Sequence, residues 1–168
     1  MTSLKTRSFY FKVYVFLPTI FLFISVLNEF DFNYLNLDYF SFNFPFILIF
    51  FFTLKEFKNF DYLFVFIAGL INDTVVGLPL GISSLSYTLI CIATSYFRNI
   101  TIRPSLIKDW FYFLFVISLI NSINYSILTL FFSFNIVLMD YLVNTFFTFI
   151  FYVFFISIFR FYLKGIDD

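Results

Sequence analysis

Apolar residues occupy this chain in six long blocks, and charged residues fall almost entirely between them. A helix that crosses a bilayer needs roughly 20 mainly apolar residues. The blocks predict helices over about residues 8–27, 39–54, 61–76, 80–97, 110–131 and 141–160. Lys12 interrupts the first block, where its long stem lets the ammonium reach the interface. Pro45 falls in the first turns of the second, where a missing N–H is best tolerated. Gly77-Leu78-Pro79 separates the third from the fourth, and Arg103-Pro104 marks an extended break before the fifth. The charge-free run from Trp110 to Met139 exceeds one core thickness of roughly 20 residues, so Phe131–Asn135 is expected at an interface. No repeat or linker divides the chain, which reads as one transmembrane domain over residues 1–168. Outer-membrane strands would alternate with period two, and the unbroken apolar run Phe46–Phe52 does not.

Charge placement tests the helix count. With the N-terminus inside, six spans put Lys5, Arg7, Lys12, Lys55, Lys58, Arg98, Arg103, Lys108, Arg160 and Lys164 on one side. Those are all 10 basic residues of the chain. The opposite loops hold Glu29, Asp31, Asp38 and Asp140 and no base. Orientation follows the Lys/Arg bias of short loops, so both termini are expected in the cytoplasm. The first block also has the outline of a secretory signal. No small-residue cleavage site follows Leu27, so the segment is expected to stay as a helix.

Composition narrows the function classes. At 62% hydrophobic and 12% charged, the chain has more apolar surface than one small core can hide, and lipid is expected to cover the rest. A net charge of zero offers nothing to nucleic acid. With no histidine, Ser-His-Asp catalysis and histidine metal sites are excluded; one cysteine excludes an internal disulfide. Cys91 lies between Ile90 and Ile92 and is expected to be inert packing. No cofactor, metal or enzymatic activity is expected. The Phe runs, such as Phe50-Phe51-Phe52, face lipid or pack on neighbours.

One segment carries a motif: Gly69-Leu70-Ile71-Asn72-Asp73-Thr74-Val75-Val76-Gly77-Leu78-Pro79-Leu80-Gly81, with three of the chain's 4 glycines. Residues 69, 73 and 77 share a helix face, and glycines four apart let a second membrane helix approach closely. Asp73 is the only acid well inside the predicted spans, where an uncompensated carboxylate costs several kcal/mol. Three roles remain open for it: accepting backbone amides of the turn and the start of the fourth helix, contacting a partner, or handling a ligand or proton. A second polar set, Asn121, Ser122, Asn124, Tyr125 and Ser126, lies in the fifth span. Asn121 and Asn124 are candidates for interhelix hydrogen bonds.

Gly69-Leu70, Asp73, Gly77 and Pro79-Leu80-Gly81 resemble the signature of the MreD family, rod shape-determining membrane proteins of bacteria. Phe97-Arg98-Asn99 is similar to that family too, as are the length and span count. The resemblance implies a fold similar to the substrate-binding components of energy-coupling-factor vitamin transporters, an all-α bundle of about six helices. It further implies a non-enzymatic part of the cell-wall elongation machinery that binds MreC, a bitopic partner. MreB, the glycosyltransferase RodA and its partner transpeptidase are the further implied associates. Gly69, Asp73, Gly77, Pro79 and Gly81 then belong to a helical hairpin and to no catalytic site. The alternative is a vitamin-binding transporter component. That class docks through an Ala-x-x-x-Ala surface in its first helix, and Val13–Leu27 contains no alanine.

Overall fold

The computed structural model describes residues 16–27, 41–57, 60–101, 105–134 and 137–167, with side chains as far as Phe161. The first eight residues of the expected first span, the acidic stretch from Glu29 to Asp38, Lys58 and Arg103-Pro104 lie outside the described residues, as does the Lys164 side chain. The described chain folds as α1 (Phe16–Leu27), α2 (Phe44–Leu54), α3 (Tyr62–Val76), α4 (Ile82–Ile100), α5 (Leu106–Phe131) and α6 (Leu138–Asp167). No strand occurs among the described residues. Two helices, α5 and α6, are long and apolar enough by themselves to cross a membrane; α1, α2 and α3 are shorter apolar helices.

Several boundaries differ from expectation, each for a local reason. The second helix begins at Phe44, not near residue 39, because Asn43 caps it. Asn43 Oδ1 accepts the Phe46 N–H at 3.3 Å, Pro45 occupies the first turn, and Ser41–Asn43 is non-helical. The fifth begins at Leu106, four residues ahead of Trp110, because the Ser105 side chain accepts the Lys108 N–H at 3.4 Å. It ends at Phe131, where the chain turns through Ser133 at a φ of 53°. The sixth starts at Leu138 and runs on to Asp167, past the expected end.

The centre of the bundle is α2. Every residue from Pro45 to Thr53 is buried, and Phe46 to Phe52 are at most 3% exposed. A helix apolar all round has no face to give to a surface, so it is enclosed on every side. Phe50-Phe51-Phe52 therefore pack on neighbours. The Phe50 ring lies 4.9 Å from Phe113 of α5 and 5.6 Å from Tyr152 of α6, while Phe46 meets Tyr87 of α4 edge-on at 5.8 Å. These offset and T-shaped pairings are the ones aromatic quadrupoles favour.

Contacts along the helices fix their directions. Phe46 pairs with Tyr87 and Thr53 with Cys91, so α2 and α4 are parallel. Asn43 pairs with Thr148 and Phe51 with Phe159, so α2 and α6 are parallel too. The pairs α3–α4, α4–α5 and α5–α6 are antiparallel: Tyr62 meets Ser95, Tyr112 meets Ala93, and Asn121 meets Thr145. The last five helices thus alternate. As a result Lys55, Arg98, Lys108 and Arg160 gather at one end of the bundle, and Asp140 lies at the other. At the basic end Arg98 Nη1 donates to the Thr53 carbonyl at 3.0 Å, closing the C-terminus of α2, and Nη2 lies 3.5 Å from Glu56 Oε1.

Truncating Phe50 leaves a cavity that α2 cannot collapse into, because all its neighbours are themselves packed. Phe50→Ala is expected to lower unfolding stability by about 2 kcal/mol or more. Phe115→Ala, at a side chain 59% exposed on α5, should leave stability within about 0.5 kcal/mol. Unfolding in detergent, followed by circular dichroism for both variants, distinguishes the two sites.

Candidate functional site

The motif folds into the hairpin between α3 and α4, and Asp73 organises both of its ends. Its main-chain carbonyl accepts from the N–H of Gly77 and from the N–H of Leu78 at 2.9 Å, which terminates α3. Its side chain reaches across the turn: Oδ2 accepts the Gly81 N–H at 2.7 Å, and Oδ1 accepts the Ser83 N–H at 2.8 Å. Those amides belong to the start of α4, whose own N-cap residue, Gly81, has no side chain to offer. One residue therefore ends one helix and caps the next. The carboxyl group also faces the positive end of the α4 dipole. Asp73 is 0% exposed.

The turn requires glycine at two places. Gly77 sits at a φ of +74° and Gly81 at +104°, and a residue with a Cβ is strained in both. Pro79 lies between them, and its carbonyl accepts the Ile82 N–H at 3.4 Å. Gly69 acts differently. A Cβ built there would lie 2.4 Å from Ser84 Cα and 2.6 Å from Ser84 N, both backbone atoms of α4. The two helices touch main chain to main chain at that point. The contact is reinforced by Ser84 Oγ donating to the Phe66 carbonyl at 3.1 Å and by Asn72 Nδ2 donating to Ser83 Oγ at 2.8 Å.

Of the motif positions, Gly69 and Asp73 lie on the buried face of α3, and Gly77, Pro79 and Gly81 form the turn. The structure assembles the five residues into one element. Its geometry is that of a joint: every polar atom of the Asp73 side chain is occupied by backbone amides. Of the three roles left open by the sequence, this one is accounted for by the observed partners.

Of the polar set of α5, the two asparagines face inward. Asn121 Nδ2 donates to Thr145 Oγ1 of α6 at 2.7 Å, and Ser86 Oγ of α4 donates to Asn124 Oδ1 at 2.9 Å. Ser122 and Ser126 lie on the exposed side of the same helix. Cys91 is buried, with its sulfur 3.6 Å from Thr53 Oγ1.

Sequence reasoning missed a second buried acid. Asp109, read as part of a loop, is in the first turn of α5 and only 3% exposed. Its Oδ1 and the Tyr152 hydroxyl of α6 are sealed from solvent without a hydrogen-bond partner. The charges of Lys55 and Arg160 act on Asp109 from the same end of the bundle. The signal for it was Pro104-Ser105, a helix start that draws the following residues into α5. Among the described residues no group of His, Cys, Asp or Glu is arranged to hold a metal ion.

No protein-family model, curated protein or solved structure matches this chain.

Asp73→Ala strips the start of α4 of two acceptors and leaves buried amides unpaired. A loss of about 3 kcal/mol is expected, and Asp73→Asn, which keeps one acceptor, should lose less. Gly69→Ala forces backbones apart and should be at least as damaging as Asp73→Ala. Gly77→Ala costs only the left-handed conformation, about 1 kcal/mol. Denaturation midpoints of the four purified variants test this order.

Proposed function

We propose that this protein is a six-span component of the bacterial inner membrane, with both termini in the cytoplasm, that serves cell-wall elongation as a non-enzymatic scaffold of the MreD kind. The observation that carries the reading is the hairpin motif: Gly69, Asp73, Gly77, Pro79 and Gly81 resemble that family's signature, and each has a distinct part in one joint. The alternating helix directions and the gathering of the described basic side chains at one end support the six-span orientation, since the bases of short loops stay cytoplasmic.

The chain offers a partner membrane faces and short loops, so the contact is a lateral one. A bitopic MreC-like protein lays its single transmembrane helix against the bundle, and its external part reaches the wall synthases. Rod shape then depends on a rigid link between cytoplasmic MreB filaments and external peptidoglycan synthesis by RodA and its transpeptidase. The Gly69–Ser84 contact and the Asp73 cap make the α3–α4 hairpin stiff enough to present a fixed surface. No step of this role needs a catalytic residue.

The test is affinity purification of the tagged protein in mild detergent, with mass spectrometry of what accompanies it. An MreC-like bitopic protein and wall synthases are expected. Recovery of an ATPase pair with a shared transmembrane subunit would instead identify a vitamin-transporter component, and the scaffold reading would fall. A folded Asp73→Ala protein that loses its partner would move Asp73 from joint to interface.

A further inference from the structure

Asp109 Oδ1 of α5 and the Tyr152 hydroxyl of α6 are the two side-chain atoms that lie sealed and without a hydrogen-bond partner among the described residues. Asp109 is 3% exposed and Tyr152 1%. Burying a hydroxyl, and above all a carboxylate, without a partner is costly. Native proteins pair nearly all such atoms, so the group that completes these two is sought among the side chains that reach both.

The packing between α5 and α6 points to one side chain. Phe113 stacks on Tyr152 with ring centroids 4.4 Å apart, which sets the register of these two antiparallel helices. Asp109 lies one turn from Phe113 toward the basic end, about 6 Å away along the axis. Arg160 lies two turns from Tyr152 in the same direction, about 12 Å away. The two residues are therefore offset by about 6 Å along the seam. Helical side chains lean toward the N-terminus of their own helix. Because α5 and α6 run oppositely, that rule tilts Asp109 and Arg160 toward each other.

Electrostatics select the same residue. The charge of Arg160 acts on both Asp109 and Tyr152, whereas Lys55 acts on Asp109. Lys55 is exposed at the end of α2. Arg160 is half-buried and follows Phe159, which packs on Phe51 and Phe52. Among the described residues the one ion pair is Arg98 with Glu56, so Arg160 has none. A guanidinium carries five N–H donors in a planar fork and no acceptor, so a single one can serve a carboxylate oxygen and a phenol oxygen together.

We propose that Arg160 swings inward onto Asp109 and Tyr152, forming a latch between the start of α5 and the end of α6 that stands open in this structure. Closed, the guanidinium donates to Asp109 Oδ1 and to the Tyr152 hydroxyl oxygen, and both sealed atoms are satisfied. Open, Arg160 returns to the surface, and the seam is held by the Trp110–Phe149 and Phe113–Tyr152 stacks.

Thermal unfolding of the full-length protein in mild detergent tests the latch through mutant cycles. Tyr152→Phe removes the hydroxyl and keeps the stacked ring. For a sealed hydroxyl without a partner, that change is neutral or stabilising. With the latch it should lower the midpoint by about 2–4 °C, the equivalent of one hydrogen bond. That loss should vanish in a chain carrying Arg160→Gln. Arg160→Gln itself strands the buried carboxylate and should lower the midpoint by about 5 °C or more. In a chain carrying Asp109→Asn it should cost at most about half as much. If Arg160→Gln does not fold, Arg160→Lys replaces it: the charge stays but the fork is lost, and the effect of Tyr152→Phe should again vanish. The latch is refuted if Tyr152→Phe is neutral or stabilising, or lowers the midpoint equally with and without Arg160. It is also refuted if Arg160→Gln costs the same in both Asp109 backgrounds. If Lys55→Gln or Arg103→Gln shows the coupling in its place, another cation completes Asp109 and the assignment to Arg160 is wrong.

Discussion

The bond between the Asp73 carboxyl group and the amides of Gly81 and Ser83 is the constraint on which the α3–α4 half of the structure depends. A helix that begins in an apolar setting has several N–H groups and no water to take them. Gly81 is needed at the start of α4 for its backbone conformation, so it brings no side chain to the task. The preceding helix supplies the acceptor instead. Because Asp73 also closes α3 through its carbonyl, the distance between the two helix ends is fixed by one residue. That distance is what allows Gly69 and Ser84 to meet backbone to backbone one turn further in. Close approach without the cap would leave amides bare; the cap without Gly69 would hold two helices apart.

A different principle holds the other half. Around α2 the packing is aromatic, with Phe50, Phe113 and Tyr152 forming a stack between three helices and Phe51 and Phe52 both meeting Phe159. The rings meet in stacked, tilted and edge-on pairs, so shape and ring geometry carry the specificity. Polar bonds then set the register between helices. Trp110 Nε1 donates to the Phe149 carbonyl at 2.9 Å while its ring stacks on Phe149 at 4.4 Å, and Tyr112 donates to the Ala93 carbonyl at 2.8 Å. Sliding either helix by one turn would break both a bond and a stack.

Function in the proposed reading follows from stiffness and shape. The polar groups divide between two ends of the bundle. At the basic end, Arg98 ties α4 to the end of α2 through the Thr53 carbonyl and Glu56. At the other, the amides and hydroxyls around Asn121 and Asn124 stand where α2 has already ended.

Much of this was legible in the chain itself. Block length and continuity announced helices, and helices are what the described residues form. The Gly and Asp spacing announced the hairpin, because only glycine permits its turns and only a short acid reaches back to cap it. Other features were decided by the tertiary structure. The sequence could not say that Phe50-Phe51-Phe52 are the centre of the molecule, since a uniformly apolar helix has no periodicity to distinguish a core from a lipid face. Nor could it place the start of α2 at Phe44, because the residues before it are apolar enough to continue. The stop comes from Asn43 bonding to Phe46 and to Thr148, a residue far along the chain. Asp109 was hidden in a charged stretch for the same reason: its burial belongs to the packed bundle and not to its own segment. What the sequence determined by itself were the properties that each segment has alone, its helical character and its glycine turns. Which faces meet, and therefore which polar atoms are covered, depended on packing between segments that local chemistry does not specify.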